Sequence, residues 1–143
     1  MPLAGSAAPA FSIPVVANGQ GQITLAKLSG RAVLLNFFAS WCIPCKAEVP
    51  TIAQLSKIYS KRGVVVIGID ELESPQAASS FAAQFKLPYA IGLDNSGAVG
   101  GAYGLIGLPL SIFIDASGKI ASRHAGQMSE TELRAGLEQI ARR

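Results

Sequence analysis

Hydrophobic residues occur along the chain both in continuous runs and at helical spacing. One apolar run covers residues 32–39, interrupted by Asn36, and a second, rich in β-branched residues, covers residues 64–69. A strand that is covered on both faces reads as a continuous apolar run, so both segments predict buried strands of the kind found in parallel sheets. Two shorter runs, residues 90–93 and 110–114, predict further strands.

Helical spacing and capping signals place helices between these strands. Residues 43–60 carry apolar side chains at helical spacing: Val49, Ile52, Leu55, Ile58 and Tyr59. Ser74 followed by Pro75 is typical of a helix N-terminus, because serine caps the helix and proline needs no N–H in the first turn. Ser129 with Glu132 three residues later forms a capping box that predicts the last helix. The glycine-rich residues 96–103 predict a short helix or a turn.

The two ends of the chain complete the predicted α/β arrangement. Residues 8–26 contain two extended segments around the turn-forming residues 18–21, which predicts an N-terminal β-hairpin. Residues 115–118 predict a tight turn into a last strand at 119–124. The order of these elements predicts a central mixed β-sheet flanked by helices. No internal repeat or linker divides the chain, so we expect one domain over residues 1–143, with its core at about residues 8–141.

Composition and charge exclude several classes of protein. The 143 residues are 50% hydrophobic and 15% charged, which excludes an intrinsically disordered chain. The formal net charge is +3 and the basic residues are scattered, so no nucleic-acid-binding surface is expected. Two cysteines are too few for a multi-disulfide secreted scaffold or for a four-cysteine zinc site.

The sequence carries no recognisable targeting or membrane-spanning segment. The longest near-apolar stretch, residues 32–41, is about half as long as a transmembrane helix needs to be. The first residues lack the basic start and the apolar stretch of a signal peptide. Two locations therefore stay open. The protein is cytoplasmic, or a leader has been removed and the protein is periplasmic or anchored on the outer side of a membrane.

The candidate chemistry lies at residues 41–45, Trp-Cys-Ile-Pro-Cys. Cys42 and Cys45 are three residues apart, where a predicted buried strand meets a predicted helix, so the two sulfurs can meet across one helical turn. The unpaired N–H groups and the partial positive charge of a helix N-terminus favour a thiolate there. We therefore assign Cys42 as the nucleophile and Cys45 as the resolving thiol. Pro44 suits the first turn, where its missing N–H is not required.

Two other roles for the cysteine pair are weaker. A structural disulfide that closes so short a loop gives little chain-entropy stabilisation. A metal site would need further ligands, and only His124 and carboxylates remain, so no metal is expected. We interpret His124 as a surface or satisfied histidine. Asp70, Glu71 and Glu73 follow a predicted strand, so they either border the site or lie in a solvated loop, and we favour the solvated loop.

Two segments of the chain resemble a known family. Residues 33–50, VLLNFFASWCIPCKAEVP, resemble the thioredoxin superfamily, and more narrowly the TlpA/ResA/CcmG (DsbE)-type thiol–disulfide oxidoreductases. Residues 103–105, Tyr-Gly-Leu, and residues 107–115, GLPLSIFID, resemble the same family. Residues 8–11 and 25–30 also match, so the resemblance covers about residues 8–140. It implies a thioredoxin-like fold with an N-terminal β-hairpin and a central βα insertion.

The resemblance implies a substrate-binding surface beside the cysteines. Pro109 matches the cis-proline of the family, so we expect a cis bond between Leu108 and Pro109. The Leu108 backbone would then face an incoming polypeptide, which can pair with it in strand fashion. Trp41 is expected to pack beside the site rather than to react. The expected substrate contacts are Trp41, Pro44, Leu108 and Pro109.

Glu48 is the candidate proton carrier. Asn36 occupies the position where typical thioredoxins keep a buried acid, and an amide cannot accept a proton. The resemblance implies that a glutamate on the active-site helix replaces this acid, and Glu48 matches its position. Glu48 also follows Cys45 by three residues, so both project on one side of the helix. A partly buried carboxylate there would have a raised pKa and can take the Cys45 proton. The alternative is a solvated glutamate that the helix dipole stabilises.

The leading interpretation is an enzyme that reduces disulfides in extracytoplasmic proteins by dithiol–disulfide exchange. The resemblance implies cytochrome c maturation, with apocytochrome c as a substrate, or general thiol homeostasis. It also implies re-reduction by a membrane electron donor of the CcdA/DsbD type. The Cys42–Cys45 disulfide is the only redox group expected, with no other cofactor. We expect a monomer with no nucleic-acid partner.

Three other functions stay open. A dithiol oxidase or isomerase would run the same exchange in the opposite direction. A peroxidase of the same superfamily is disfavoured, because those enzymes usually keep a threonine three residues before the reactive cysteine, where this chain has Ala39. A non-enzymatic module would hold client proteins beside Pro109, and its disulfide would only lock the structure.

Overall fold

A computed structural model describes residues 2–143 and places seven strands and four helices in this part of the chain. Their bounds are β1 Ser12–Ala17, β2 Gln22–Thr24, β3 Ala32–Phe38, α1 Ile43–Tyr59, β4 Val64–Glu71, α2 Pro75–Gln84, β5 Ala90–Asp94, α3 Ala98–Ala102, β6 Leu110–Ile114, β7 Ile120–Ala125 and α4 Glu130–Ile140. Short 3₁₀ turns cover Leu25–Leu28 and Ser60–Arg62. Met1, the first residue of the expected domain, lies outside the described residues.

The strands form one mixed sheet in the order β2-β1-β5-β4-β3-β6-β7. β3 pairs in parallel with β4, and β4 pairs in parallel with β5. The remaining pairs are antiparallel, including the expected N-terminal hairpin of β1 and β2. β3 and β4 occupy inner positions of the sheet, which explains their continuous apolar sequences. The predicted α/β fold with a central mixed sheet is confirmed.

The sheet separates two hydrophobic clusters, and alternate residues of β3 contribute to each. Leu34 and Phe38 pack in the first cluster with residues from α1, α2 and α4. Leu35 and Phe37 pack in the second cluster with Tyr103, which follows α3. Because successive strand residues point to opposite faces, one strand supports both layers. Both active-site cysteines belong to the first cluster, so the redox pair is fixed to a packed interior.

The predicted helix signals act as expected. The Ser74 side chain accepts the Ala77 N–H at 3.1 Å at the start of α2. Ser129 and Glu132 form the predicted capping box at the start of α4. Gly136 lets α4 approach the sheet closely, since a Cβ atom built there would lie 2.5 Å from the Phe113 ring. α4 is thereby held firmly against the face of the sheet that carries α1.

One edge of the sheet gathers the segments that surround the cysteines. Phe38, the last residue of β3, lies beside Asp70 of β4, and Glu71 lies beside Asp94 of β5. β6 is antiparallel to β3, so its first residue, Leu110, lies beside Phe37. The turn after β3, the loop after β4 and the loop before β6 therefore meet at this edge. Within residues 2–143, no helix is both long enough and apolar enough to cross a membrane.

Candidate active site

The cysteine pair lies at the junction of β3 and α1. The N–H of Cys42 donates to the Ala39 carbonyl at 3.2 Å, which closes a turn between the strand and the helix. Cys42 is the N-cap of α1, and its sulfur accepts the Cys45 N–H at 3.3 Å. A disulfide joins the two residues, whose Cα atoms are 5.2 Å apart. The N-terminal end of α1 thus directs its unpaired N–H groups toward the Cys42 sulfur, which favours a thiolate there.

The two cysteines differ in their access to solvent. Cys42 is 3% exposed and Cys45 is fully buried at 0%. Trp41, before Cys42, is 69% exposed, and Pro44 is also exposed. Cys42 is therefore the sulfur nearer the surface, with an aromatic side chain beside it that is free to contact another molecule.

The loop before β6 supplies the second side of the site. The bond between Leu108 and Pro109 is cis, as expected. Leu108 is half-buried and packs against both hydrophobic clusters. Ile106, two residues earlier, is 91% exposed. Since β6 begins beside the end of β3, this loop lies next to the turn that carries Cys42.

Glu48 is buried behind the cysteine pair, one helical turn after Cys45. Glu48 is only 1% exposed, so the alternative of a solvated glutamate is wrong. Its carboxylate accepts the Met128 N–H at 2.7 Å and the Asn36 amide at 3.0 Å. Burial raises the pKa of Glu48, while these two hydrogen bonds and the charge of His124 act in the opposite direction. The result is an acid poised to hold or release a proton.

The three acids at the end of β4 and just after it do not form a solvated loop. Asp70 and Glu71 are the last two residues of β4, and both are buried. Glu73 reaches back to the active-site turn, where its carboxylate accepts the Ser40 N–H at 2.7 Å and the Ser40 hydroxyl at 2.5 Å. The sequence interpretation of these acids was therefore wrong. No sequence signal marks this burial, because it results from the pairing of β4 with the whole of β3, which extends β4 beyond its apolar run.

Glu71 and Asp94 form a buried acidic pair on the face of the sheet opposite to Asp70. Asp94 accepts the N–H groups of Val99 and Gly100 in the first turn of α3, at 3.2 Å and 2.8 Å. Burial, and then contact with Asp94, raises the pKa of Glu71 to about 9. A Cβ atom at Gly100 would collide with the Glu71 carboxylate, so only glycine fits there. This pair fixes α3 rather than the cysteines.

His124 shares no metal site with the cysteines. It is half-buried on β7, opposite Ser111 of β6. Within the described part of the chain, no group of three or more histidine, cysteine, aspartate or glutamate side chains is placed to hold a metal ion.

Known proteins resemble this chain in sequence and in fold. Residues 3–140 match the Redoxin family. The thiol-disulfide oxidoreductase ResA of Bacillus thuringiensis is 34% identical over 137 residues, which cover 95% of this chain and 78% of that relative. The thiol:disulfide interchange protein DsbE of Pseudomonas fluorescens is 36% identical over 127 residues, which cover 88% of this chain and 68% of that relative.

The fold also has solved counterparts. The crystal structure of a thiol:disulfide interchange protein of the thioredoxin family from Chlorobium tepidum superposes with a TM-score of 0.83 and 28% identity, covering 94% of this chain and 95% of that one. Together with the cysteine pair joined as a disulfide at the start of α1, these matches settle the class of protein. The chain belongs to the Redoxin family of the thioredoxin superfamily and is a thiol–disulfide oxidoreductase of the TlpA/ResA/CcmG type.

Proposed function

We propose that the protein reduces disulfides in extracytoplasmic client proteins, with Cys42 as nucleophile, Cys45 as resolving thiol and Glu48 as proton acceptor. One observation carries the proposal. A buried acid with a raised pKa lies one helical turn from the buried thiol that must lose a proton. Because Cys45 is shielded from solvent, its proton needs an acceptor inside the protein, and Glu48 is the carboxylate of α1 that meets this need.

The first step is attack on the client. The Cys42 thiolate forms a bond to one sulfur of the client disulfide, and the other client sulfur leaves as a thiolate that takes a proton from solvent. The N-terminal end of α1 stabilises the Cys42 thiolate before attack. The exposed position of Trp41 and the shielding of Cys45 favour Cys42 as the attacking sulfur.

The second step releases the client. Cys45 gives its proton to the Glu48 carboxylate, and the resulting thiolate attacks the Cys42 sulfur. The client sulfur leaves as a thiolate, and the Cys42–Cys45 disulfide forms. The client has gained two electrons and the enzyme has lost two, so a dithiol donor must reduce the enzyme again. The fixed position of Cys45 makes this intramolecular attack fast.

The client chain is expected to lie between Trp41 and the loop before β6. Pro44, Leu108 and Pro109 complete this surface. The exposed apolar side chains of Trp41 and Ile106 favour a client segment with apolar residues near its cysteine. An extended client segment can also pair with the Leu108 backbone in strand fashion.

The family supports a proposal for the compartment and the partners. The resemblance to ResA and DsbE supports an extracytoplasmic location, either periplasmic or anchored on the outer face of a membrane. It also supports a role in cytochrome c maturation, with apocytochrome c as a client and a CcdA/DsbD-type membrane protein as the electron donor. The redox group in this proposal is the Cys42–Cys45 disulfide, without a further cofactor.

An equilibrium redox titration tests the direction of the reaction. The protein is equilibrated in defined thiol buffers, and Cys42 and Cys45 are counted by mass-tagging of free thiols. We expect a potential near or below that of thioredoxin, about −270 mV. A potential near that of strong oxidants, about −120 mV, would show that the protein oxidises its clients and would end the reductase proposal.

A trapping experiment tests the roles of the two sulfurs. Cys45→Ser leaves the nucleophile but removes the resolving thiol, so it should accumulate a mixed disulfide with a client peptide through Cys42. Cys42→Ser is the matched control and should accumulate none. Equal trapping by both variants would contradict the assignment. Full biological activity of the Cys42→Ser, Cys45→Ser double variant would favour a client-binding module.

A further inference from the structure

Glu73 is tied to the turn that presents Cys42. Its two carboxylate oxygens accept both polar hydrogens of Ser40, from the backbone N–H at 2.7 Å and from the hydroxyl at 2.5 Å. Ser40 follows Ala39, whose carbonyl accepts the Cys42 N–H and closes the turn. Hydrogen bonds to a carboxylate are short and strong. The carboxylate of the loop after β4 therefore fixes the backbone two residues before the reactive sulfur.

Asp70 is the neighbour that holds Glu73 in place. Asp70 is fully buried at the end of β4, and neither of its oxygens accepts a bond from any N–H or ordinary O–H donor among residues 2–143. Asp70 precedes Glu73 by three residues, and a hydrogen bond with Glu73 and the charge of Glu73 both contribute to the raised pKa of Asp70, so the two carboxyl groups lie close together. Two carboxyl groups can bond only if they share a proton, because both in the charged form would repel each other.

The electrostatics assign that proton to Asp70. Burial, followed by the hydrogen bond and charge of Glu73, raises the pKa of Asp70 to about 8. Partial burial acts to raise the pKa of Glu73, but its bonds with Ser40 and Asp70 outweigh burial and lower it. Asp70 is thus the protonated donor at neutral pH, and Glu73 is the charged acceptor.

We propose that Glu73 and Asp70 are a positioning pair for Cys42, in which Glu73 holds the turn through Ser40 and Asp70 holds Glu73 through one shared proton. The inference rests on the proposed role of Cys42 as the nucleophile. Within residues 2–143, Glu73 bonds to Ser40 and not to either cysteine. The effect of the pair passes through the backbone of the turn and through its net charge, which is a single negative charge while the proton is present.

Loss of the shared proton should release the turn. Above about pH 8, Asp70 ionises and two adjacent carboxylates repel each other. The other groups that face the pair do not relieve this repulsion. Glu71 on the same strand is acidic, Asp94 of β5 contacts Glu71, and Ser40 after β3 is neutral. We therefore expect Glu73 to leave Ser40 and the attack by Cys42 to slow.

Four variants separate this proposal from a general effect of buried acids. Asp70→Asn keeps a donor to Glu73 at every pH, whereas Asp70→Ala removes it. Glu73→Ala removes the acceptor from a half-buried position, where folding should tolerate the change. Glu71→Gln is the matched control, because Glu71 is a buried acid of the same strand that pairs with Asp94 instead.

The measurement is the single-turnover rate at which reduced, full-length protein attacks a peptide disulfide, followed across pH. We expect the wild-type protein and Glu71→Gln to slow by about fivefold as the pH rises past the Asp70 transition. Asp70→Asn should match their rate at neutral pH but lack this fall. Glu73→Ala and Asp70→Ala should be slower by about tenfold at neutral pH. Thermal unfolding identifies any variant that does not fold. The rates of two single variants, Asp70→Asn and Glu73→Ala, are sufficient for the test.

Two results would overturn the positioning pair. One is an alkaline fall in Asp70→Asn that equals the wild-type fall. The other is a Glu73→Ala rate within about twofold of the wild-type rate at neutral pH. Peptide mapping of the mixed disulfide shows separately which cysteine attacks. If Cys45 attacked first, the proposed function would fail in its assignment of roles, while the comparison of the variants would still decide whether the pair controls the attacking thiol.

Discussion

Asn36 donates its side-chain amide to the Glu48 carboxylate at 3.0 Å, across the interface between β3 and α1. The strand position that carries an acid in typical thioredoxins here carries the hydrogen-bond donor to an acid on the helix. Asn36 also donates to the Ser111 hydroxyl at 3.3 Å, so its amide is held from two sides. The charged form of Glu48 is thereby partly stabilised although it is buried.

Replacing Asn36 should shift the pH dependence of mixed-disulfide resolution toward higher pH. Asn36→Ala removes a donor that lowers the pKa of Glu48, so that pKa should rise further. Glu48 must be charged to accept the Cys45 proton, so the resolution rate should reach half its maximum at a pH higher by about one unit. Stopped-flow measurement of mixed-disulfide resolution across pH gives this midpoint.

Ser111→Ala is the control for the Asn36 variant. It removes the other partner of Asn36 but leaves the bond to Glu48, so its midpoint should stay at the wild-type value. Equal midpoints for the wild-type protein and Asn36→Ala would show that the pH dependence of the resolution rate is not due to titration of Glu48.

Removing the acid at position 48 should slow the second step more than the first. Glu48→Gln keeps the volume and an oxygen that can accept the Met128 N–H, but it cannot take a proton. Resolution of the mixed disulfide should therefore slow by about a hundredfold, while attack on the client changes little. Mass spectrometry of quenched reactions should detect the accumulated mixed disulfide.

Glu130→Gln is a suitable control for this variant, because Glu130 is an exposed acid on α4. It should resolve the mixed disulfide at the wild-type rate. If Glu48→Gln resolves equally fast, the Cys45 proton leaves by another route, and Glu48 has only a structural role.

The buried acids should make the protein less stable as the pH rises. The pKa of Asp70 is raised to about 8 and that of Glu71 to about 9. Between their ordinary values near 4 and these raised values, the folded state binds more protons than the unfolded state, so stability falls with rising pH. From about pH 5 to about pH 9, the free energy of unfolding should fall by at least about 2 kcal/mol.

Urea denaturation at several pH values measures this slope. The double variant Asp70→Asn, Glu71→Gln titrates at neither position and should show a flatter dependence, with the remaining slope due partly to Glu48. A wild-type stability that rises over the same range would mean that these acids are charged in the folded protein.

Local sequence patterns predicted most of the fold because the strands and helices each carry their own signal. The run of residues 32–39 and the Ser129–Glu132 capping box were sufficient to place a buried strand and a helix start. At the site, chemistry and spacing predicted Cys42 and Cys45, whereas the cis bond before Pro109 and the buried acid at Glu48 were expected from the resemblance to the family. The buried Glu48 carboxylate accepts the N–H of Met128, which is 80 residues away in the sequence, so local patterns do not predict this contact.

Asp70, Glu71 and Glu73 show where prediction from local sequence patterns fails. A stretch with the sequence Asp-Glu-Leu-Glu is polar in isolation, and solvation is its ordinary interpretation. In the structure, strand pairing with Phe38 and Asp94 draws the first two acids into the interior. Burial next to another carboxyl group raises the pKa of both acids, so each stays neutral near pH 7 and avoids the cost of a buried charge. The neighbouring carboxyl group is known only once the loops at this edge are assembled.

The exposed apolar side chain of Ile106 should contribute to client binding. Ile106 is 91% exposed in the loop before Pro109, beside the turn that carries Trp41. Partial burial of an isoleucine against a client is worth enough to change KM by about three- to tenfold. Ile106→Ser should therefore raise KM for a peptide disulfide with apolar neighbours while leaving kcat unchanged. A small disulfide that is too short to reach this loop should show no change.

Ile58→Ser is the matched control, because Ile58 is also an exposed isoleucine, 43% accessible, but lies near the end of α1 away from the cysteines. Its KM should equal that of the wild-type protein. A rise in KM of the same size in both variants would point to a general change in surface hydrophobicity. A rise confined to Ile106→Ser would place the client on the loop before β6, because that loop and the Cys42 turn meet at the same edge of the sheet.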